Sequence, residues 1–260
     1  MFIARQAAVA AAPRLSALVV AHNEEGQLAE CLERLVLADE IVVVLDRCTD
    51  NSASIARRFT DNVIEGGWEL EGPRRNTGIE ACSGDWILEV DADERVPAVL
   101  FDEIRSTIAL AQPGIFLVPF DNYIGSRRVR HGWGGSWGKS AAPALFAKGC
   151  KRWGMQRVHP SLEMSGPRHW LKTPVDHLVD RDISDMIARL DRYTTARAKD
   201  LRDAGRIGSL PNNLRRLFTR FFKCYIRRKG YREGCYGFLI ALFAGLFPLL
   251  SHMKARLEKE

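Results

Sequence analysis

Two aspartates one residue apart, Asp91 and Asp93 in Asp91-Ala92-Asp93-Glu94, end an apolar run of strand character. In extended backbone, residues i and i+2 point to the same side, so both carboxylates face beyond the strand's carboxyl end, where open α/β sheets bind ligands. Hard oxygens so placed suit Mg²⁺ or Mn²⁺, which takes its remaining ligands from water and substrate phosphates. A cation on a diphosphate neutralises the charge that grows as a sugar leaves it. Strand-end aspartates also serve as turn formers and caps, so the pair needs context.

The context is three further segments. Val19-Val20-Ala21-His22-Asn23-Glu24-Glu25 closes one predicted strand and offers His22, Asn23 and Glu25 to a nucleotide sugar; His22 can stack on a base. Val44-Leu45-Asp46-Arg47-Cys48-Thr49-Asp50 closes another, and Asp46 can accept from the uracil imide; a turn or cap role is the alternative. Gly72-Pro73-Arg74-Arg75-Asn76-Thr77-Gly78 opens a helix with two arginines fit for a diphosphate by charge and by the helix N-terminus.

The elements that must position these groups follow from periodicity. Strands are predicted at 15–20, 41–45, 86–90 and 115–119. Helices are predicted near 27–37, 52–59, 73–82, 99–111 and 183–204. This alternation is that of βαβ units around a mostly parallel sheet. Residues 122–138, rich in Gly, Trp and Arg, read as substrate-binding loops.

The formal charge is +6, and residues 211–232 hold eight basic residues and no acid; without them the chain is at −2. The excess is a local device for an anionic partner, not a diffuse nucleic-acid surface. Within it Leu214, Leu217, Phe218, Phe221, Phe222, Tyr225 and Ile226 recur at helical spacing, which predicts a basic amphipathic helix. The apolar run 237–250 is short of the roughly 20 residues that span a bilayer, so it dips into a membrane or packs. Six scattered cysteines, without metal-ligand spacing, read as reduced cytosolic thiols, and the short Ala/Val run before Pro13 predicts no secretion signal.

Together the four segments resemble the inverting family 2 glycosyltransferases of the GT-A fold. In these a P-x-Y-N-E-like strand end, an S-T-D-G-T-like turn, an R-N-x-G helix start and a D-x-D follow in this order; here the tyrosine is His22. The resemblance implies that Asp46 binds uracil, Arg75 the diphosphate, Asp91 the ribose and metal, and Asp93 the metal. The remainder is similar to the lipopolysaccharide core glucosyltransferase branch, through Val158-His159-Pro160, His177, Arg189-Leu190-Asp191-Arg192-Tyr193 and residues 227–237.

Inverting transfer needs a carboxylate to take the acceptor's proton. Pro160 replaces the glutamate of the branch's V-H-E element, which leaves Glu163 and Asp176 as the expected bases. His159 and His177 are expected as contacts to an acceptor phosphate or, for His177, as an extra metal ligand.

The expectation is therefore an α/β GT-A domain, Rossmann-like with a mostly parallel sheet, at 14–205 and a helical membrane-associating segment at 211–253. Its partners are a nucleotide-sugar donor, an anionic membrane surface at the cytoplasmic face of the inner membrane, and a lipid-linked glycan acceptor. Truncation after Ser209 is expected to leave a soluble UDP-binding domain. The rivals are a polyprenyl-phosphate glycosyltransferase, which needs no base, and a noncatalytic membrane-surface binding module.

Overall fold

Apolar β-branched runs at the start of the chain form a parallel sheet, as both of its faces must be covered by helices. The computed structural model describes residues 12–134, 138–155 and 161–258. Its first half consists of β1 (Leu15–Ala21), α1 (Leu28–Glu33), β2 (Glu40–Asp46), α2 (Ser52–Ala56), β3 (Val63–Gly66), α3 (Glu71–Ala81) and β4 (Trp86–Asp91). The order β3-β2-β1-β4 is parallel throughout. Every residue of β1 is buried, and Val42, Val44, Ile87 and Leu88 are also closed off from solvent. Gly78 of α3 is required by packing: a Cβ there would lie 2.4 Å from a Leu18 methyl, so a methyl group cannot enter between helix and sheet.

The second half adds β5 (Glu94–Arg95), α4 (Ala98–Ile108), β6 (Ile115–Ile124), β7 (Arg127–Val129), β8 (Ala141–Ala147), β9 (Lys151–Trp153), β10 (Leu162–Met164), β11 (Arg168–Trp170) and β12 (Val175–Asp180). The sheet continues β4-β8-β6-β12-β5, with β8 antiparallel to both its neighbours and β12 parallel to β6. The segment expected as loops at 122–138 is in part a hairpin, because β6 runs on to Ile124 and turns back through Gly125, at φ +57°, into β7. β9 and β10 form a separate two-stranded sheet.

The chain then enters α5 (Ile183–Asp203), capped by the Asp182 carboxylate on the Asp185 amide, followed by α6 (Leu210–Phe222), a π turn and a 3₁₀ turn, and α7 (Cys235–Leu257). The apolar segment is thus one continuous 23-residue helix, longer than the 237–250 run. It is long and apolar enough to cross a membrane, yet 61% of its most apolar window is buried against the protein. Gly245 lets it approach α6, since a Cβ there would come within 2.7 Å of the Leu217 carbonyl.

The C-terminal helices are not a free appendage. Cys224, Ile240, Ala241, Phe243, Ala244 and Phe247 share one core with Ile124, Val129 and Trp133 of the hairpin region, Val179 of β12, and Met186 and Leu190 of α5. Buried Glu233 reinforces the joint by accepting from the Arg130 and His131 amides at 3.0 Å each. The expected cut after Ser209 therefore runs through a core and not between independent bodies.

Candidate active site

β4 carries a buried carboxylate before it reaches the aspartate pair. Glu89 takes the Lys151 ammonium at 2.6 Å and the Arg75 guanidinium at 2.6 Å. Against the cost of burial these two cations hold the Glu89 carboxyl below the usual carboxylate range. Arg75 also reaches Glu71 at 2.9 Å and Asp91 at 3.0 Å and lies 4.9 Å from the centre of the Trp153 ring. It is the hub of three carboxylates.

Asp91, at the end of β4, receives Arg75 on one oxygen and Lys139 on the other, the latter at 3.1 Å. Burial opposes ionisation there, but the two cations outweigh it and hold the group well below its ordinary value. Lys139 lies 2.5 Å from Glu94 and 4.5 Å from the Phe120 ring centre. Burial pushes the Glu94 carboxyl up to about 7; Lys139 opposes this, and Asp91 and Asp93 add to it.

β5 pairs antiparallel with β12, which sets His177 opposite Glu94. The imidazole Nε2 lies 3.3 Å from Asp93, while its Nδ1 faces the Asn122 side-chain oxygen at 2.8 Å, a bond that orients the ring. Ligand atoms of Asp93, Glu94 and His177 all lie within 4.8 Å of one another, and the buried Asp93 Oδ1 has no hydrogen-bond partner. Two carboxylates and an oriented imidazole around an unsatisfied oxygen fit a divalent cation. Asp91, expected to share the metal, stands outside this trio with both oxygens on cations.

The residues expected to meet a nucleotide gather at the ends of β1 and β2. Asp46 is buried, and its carboxylate accepts from the Trp68 amide at 3.1 Å, Arg74 at 3.0 Å and Arg47 at 3.1 Å. Exposed His22 contacts the Asp46 carbonyl through Nδ1 at 2.5 Å. Asn23, at φ +56°, accepts from the Thr49 amide at 2.8 Å, and Glu25 accepts from the Asn51 amide and side chain at 3.0 and 2.9 Å. Asn23 and Glu25 thus lace the two strand-end loops together.

The two expected bases are not brought to the cluster. Asp176 neighbours His177 on β12, so alternation turns it to the opposite face, where it meets Tyr123 and Asp121. Glu163 is exposed on β10, and it is the adjacent Leu162 that lines the cavity at Asp91. Val158, His159 and Pro160 lie outside the described residues.

A cavity of about 450 Å³ opens over Arg75, Asp91, Glu94 and Lys139. A second, of about 800 Å³, shares Phe120, Lys139 and Ala141 with it and is lined by Arg130, His131, Arg227, Arg228 and Lys229. Glu94 as a partner of His177, and Lys139 beside Asp91, were not among the residues expected from the sequence. Glu94 adjoins the aspartate pair in the sequence, which is a signal of sorts; Lys139 gave none beyond its glycine-rich setting.

Residues 16–137 match the family model "Glycosyl transferase family 2". The chain is 24% identical over 261 residues, 92% of this chain and 91% of the relative, to the lipopolysaccharide core biosynthesis glycosyltransferase LpsC of Rhizobium meliloti. It is 23% identical to an uncharacterized glycosyltransferase of Rickettsia felis, over 94% of this chain and 89% of the relative. Among solved structures, S. aureus TarS 1–349 in complex with UDP-GlcNAc aligns with TM-score 0.49 and 16% identity over 94% of this chain and 87% of that one, a likeness too distant to assign residues. Residues 16–137, which hold Asp46, Arg75, Asp91, Asp93 and Glu94, are thus similar to the family 2 glycosyltransferases.

Proposed function

We propose that this protein transfers a sugar, with inversion, from a UDP-sugar to a lipid-linked glycan such as lipopolysaccharide core, with Mg²⁺ or Mn²⁺ as cofactor. The observation that carries this reading is the unsatisfied Asp93 Oδ1 beside Glu94 and His177 at the carboxyl end of the parallel strands. Those three residues would hold the cation. When bound, it supplies charge neutralisation at the departing diphosphate.

The protein's own groups do the rest. His22 offers a face to the base, and Asp46 accepts from the uracil imide in exchange for one of its arginine contacts. Asp91 takes the ribose and, with Lys139 fixed beside it, adds a held ion pair at the donor. Arg75 meets the diphosphate by releasing Glu71, its most solvent-facing carboxylate partner. Similarity to LpsC over nearly the whole length supports the acceptor class.

The same reading sets the protein on the cytoplasmic face of the inner membrane. Leu214, Phe218, Phe222 and Ile226 form an exposed ridge along α6 and the turn after it, Phe218 being 69% exposed, flanked by Arg215, Lys223 and Arg227. Each basic residue near an anionic leaflet adds about 1 kcal/mol.

A second reading, transfer to a lipid phosphate, is favoured by one observation: the cavity contiguous with the donor side is lined by five basic side chains or imidazoles and meets Lys139. A phosphate nucleophile needs no general base, consistent with neither Glu163 nor Asp176 standing at the cluster. Thermal unfolding tests the shared donor reading. UDP with Mn²⁺ should stabilise the wild type and should fail to stabilise Asp93→Asn; equal stabilisation of both overturns the metal assignment. Product analysis with glycan and polyprenyl-phosphate acceptors separates the two readings.

A further inference from the structure

Away from both cavities, α5, α6 and α7 enclose a third of about 380 Å³. None of its lining residues borders the other two. Four arginines line it, Arg197 from α5, Arg206 from the connecting loop, and Arg216 and Arg220 one turn apart on α6, together with the apolar Phe247 and Pro248 of α7. Among the described residues none of the four arginines makes an ion pair with a carboxylate, whereas Arg74, Arg75 and Arg95 at the donor side are all paired.

Like charges brought together without an acid are destabilised, the more so where solvent is partly excluded. Burial, with Arg216 and then Arg197 alongside, pulls Arg220 below the usual guanidinium value. Such a site gains most from an anion that accepts several hydrogen bonds at once. Guanidinium forks match the oxygens of a phosphate group in this way.

We propose that this cavity is a phosphate-binding site, distinct from the donor site, that takes a phosphate monoester or diester. Its two possible sources are a lipid headgroup, whose acyl side would lie along Phe247 and Pro248, and a free phosphate.

The test uses the full-length chain at constant ionic strength, titrated with inorganic phosphate, dihexanoyl phosphatidate and, as a control, dihexanoyl phosphatidylcholine, followed by calorimetry. Saturable one-to-one binding of phosphatidate is expected, weakened at least about tenfold by Arg216→Gln with Arg220→Gln, which removes two charge-assisted contacts. Arg58→Gln with Lys199→Gln removes the same charge from exposed positions that do not line the cavity and should change binding by less than about twofold. Binding of phosphatidate alone identifies the headgroup as the source; equal binding of inorganic phosphate identifies the free anion. No saturable binding of either, or equal loss in both double variants, overturns the site. Stabilisation by UDP with Mn²⁺ is read in parallel and should persist in all variants, so a failure here is distinguishable from a failure of the transferase reading.

Discussion

The carboxyl ends of β1, β2 and β4 and the C-terminal helices are both rich in charge, and they handle it in opposite ways. At the strand ends nearly every cation meets a carboxylate: Arg74 with Asp46, Arg75 with Glu89 and Asp91, Lys139 with Asp91 and Glu94, Lys151 with Glu89. Among the C-terminal helices and their connecting loop, Arg197, Arg206, Arg216 and Arg220 line one cavity that has no acid among its described lining residues. Paired charges in a closed network fix side chains in place before a ligand arrives. Unpaired ones await an anion from outside the chain.

The largest way to break this contrast is to remove the second region. Truncation after Ser209 takes away Ile240, Phe243 and Phe247, which cover Val129, Met186 and Leu190. The truncated chain should fail to accumulate as a folded soluble protein; a monodisperse product with cooperative unfolding would mean that the shared core is dispensable.

Next in size is Asp93→Asn. With the carboxylate charge gone, metal-dependent release of UDP from a UDP-sugar should drop by about 10³-fold or more while the melting temperature hardly moves. A tenfold loss or less would shift the weight to Asp91. Lys151→Met tests the closed network itself: Glu89 keeps Arg75 but loses its second cation, so unfolding in urea should show a loss of about 3 kcal/mol. A neutral result would mark the network as a weak contributor.

For the helical region, Phe218→Ser with Phe222→Ser should lower binding to phosphatidylglycerol vesicles by about tenfold or more without lowering stability, because both rings are exposed. Unchanged flotation would assign the ridge to something other than a membrane. The smallest effect concerns acid. Against the cost of burial, the Trp68 amide, Arg47 and Arg74 hold Asp46 below its ordinary value. Its contribution is therefore present above the unfolded value of about 4 and is lost as pH falls through the lower folded value. The stabilities of wild type and Asp46→Asn should differ by a constant amount down to about pH 4 and converge as pH falls below it; parallel curves would contradict the pairing.

The parallel half was legible because its signals are local. Apolar runs that end in Asp46 and Asp91 place those groups at strand ends, and Gly72-Pro73 with the arginines after it marks a helix start. The Glu94–His177 pairing was not legible, since it depends on a two-residue strand finding a partner far along the chain. The sequence shows that Asp176 and His177 point oppositely without showing which faces Asp93 and Glu94, and the structure turns His177 inward. The amphipathic character of α6 could be read from spacing. That its other side is sealed by a 23-residue helix, which also covers the hairpin, could not, because periodicity identifies an apolar face and not its occupant.

The most direct measurement is anomalous diffraction at the manganese edge from crystals grown with Mn²⁺ and UDP. One peak is expected, bounded by Asp93 Oδ1, Glu94 and His177 Nε2, with the diphosphate beside it. A peak held by other residues, or UDP bound with no peak there, would contradict it.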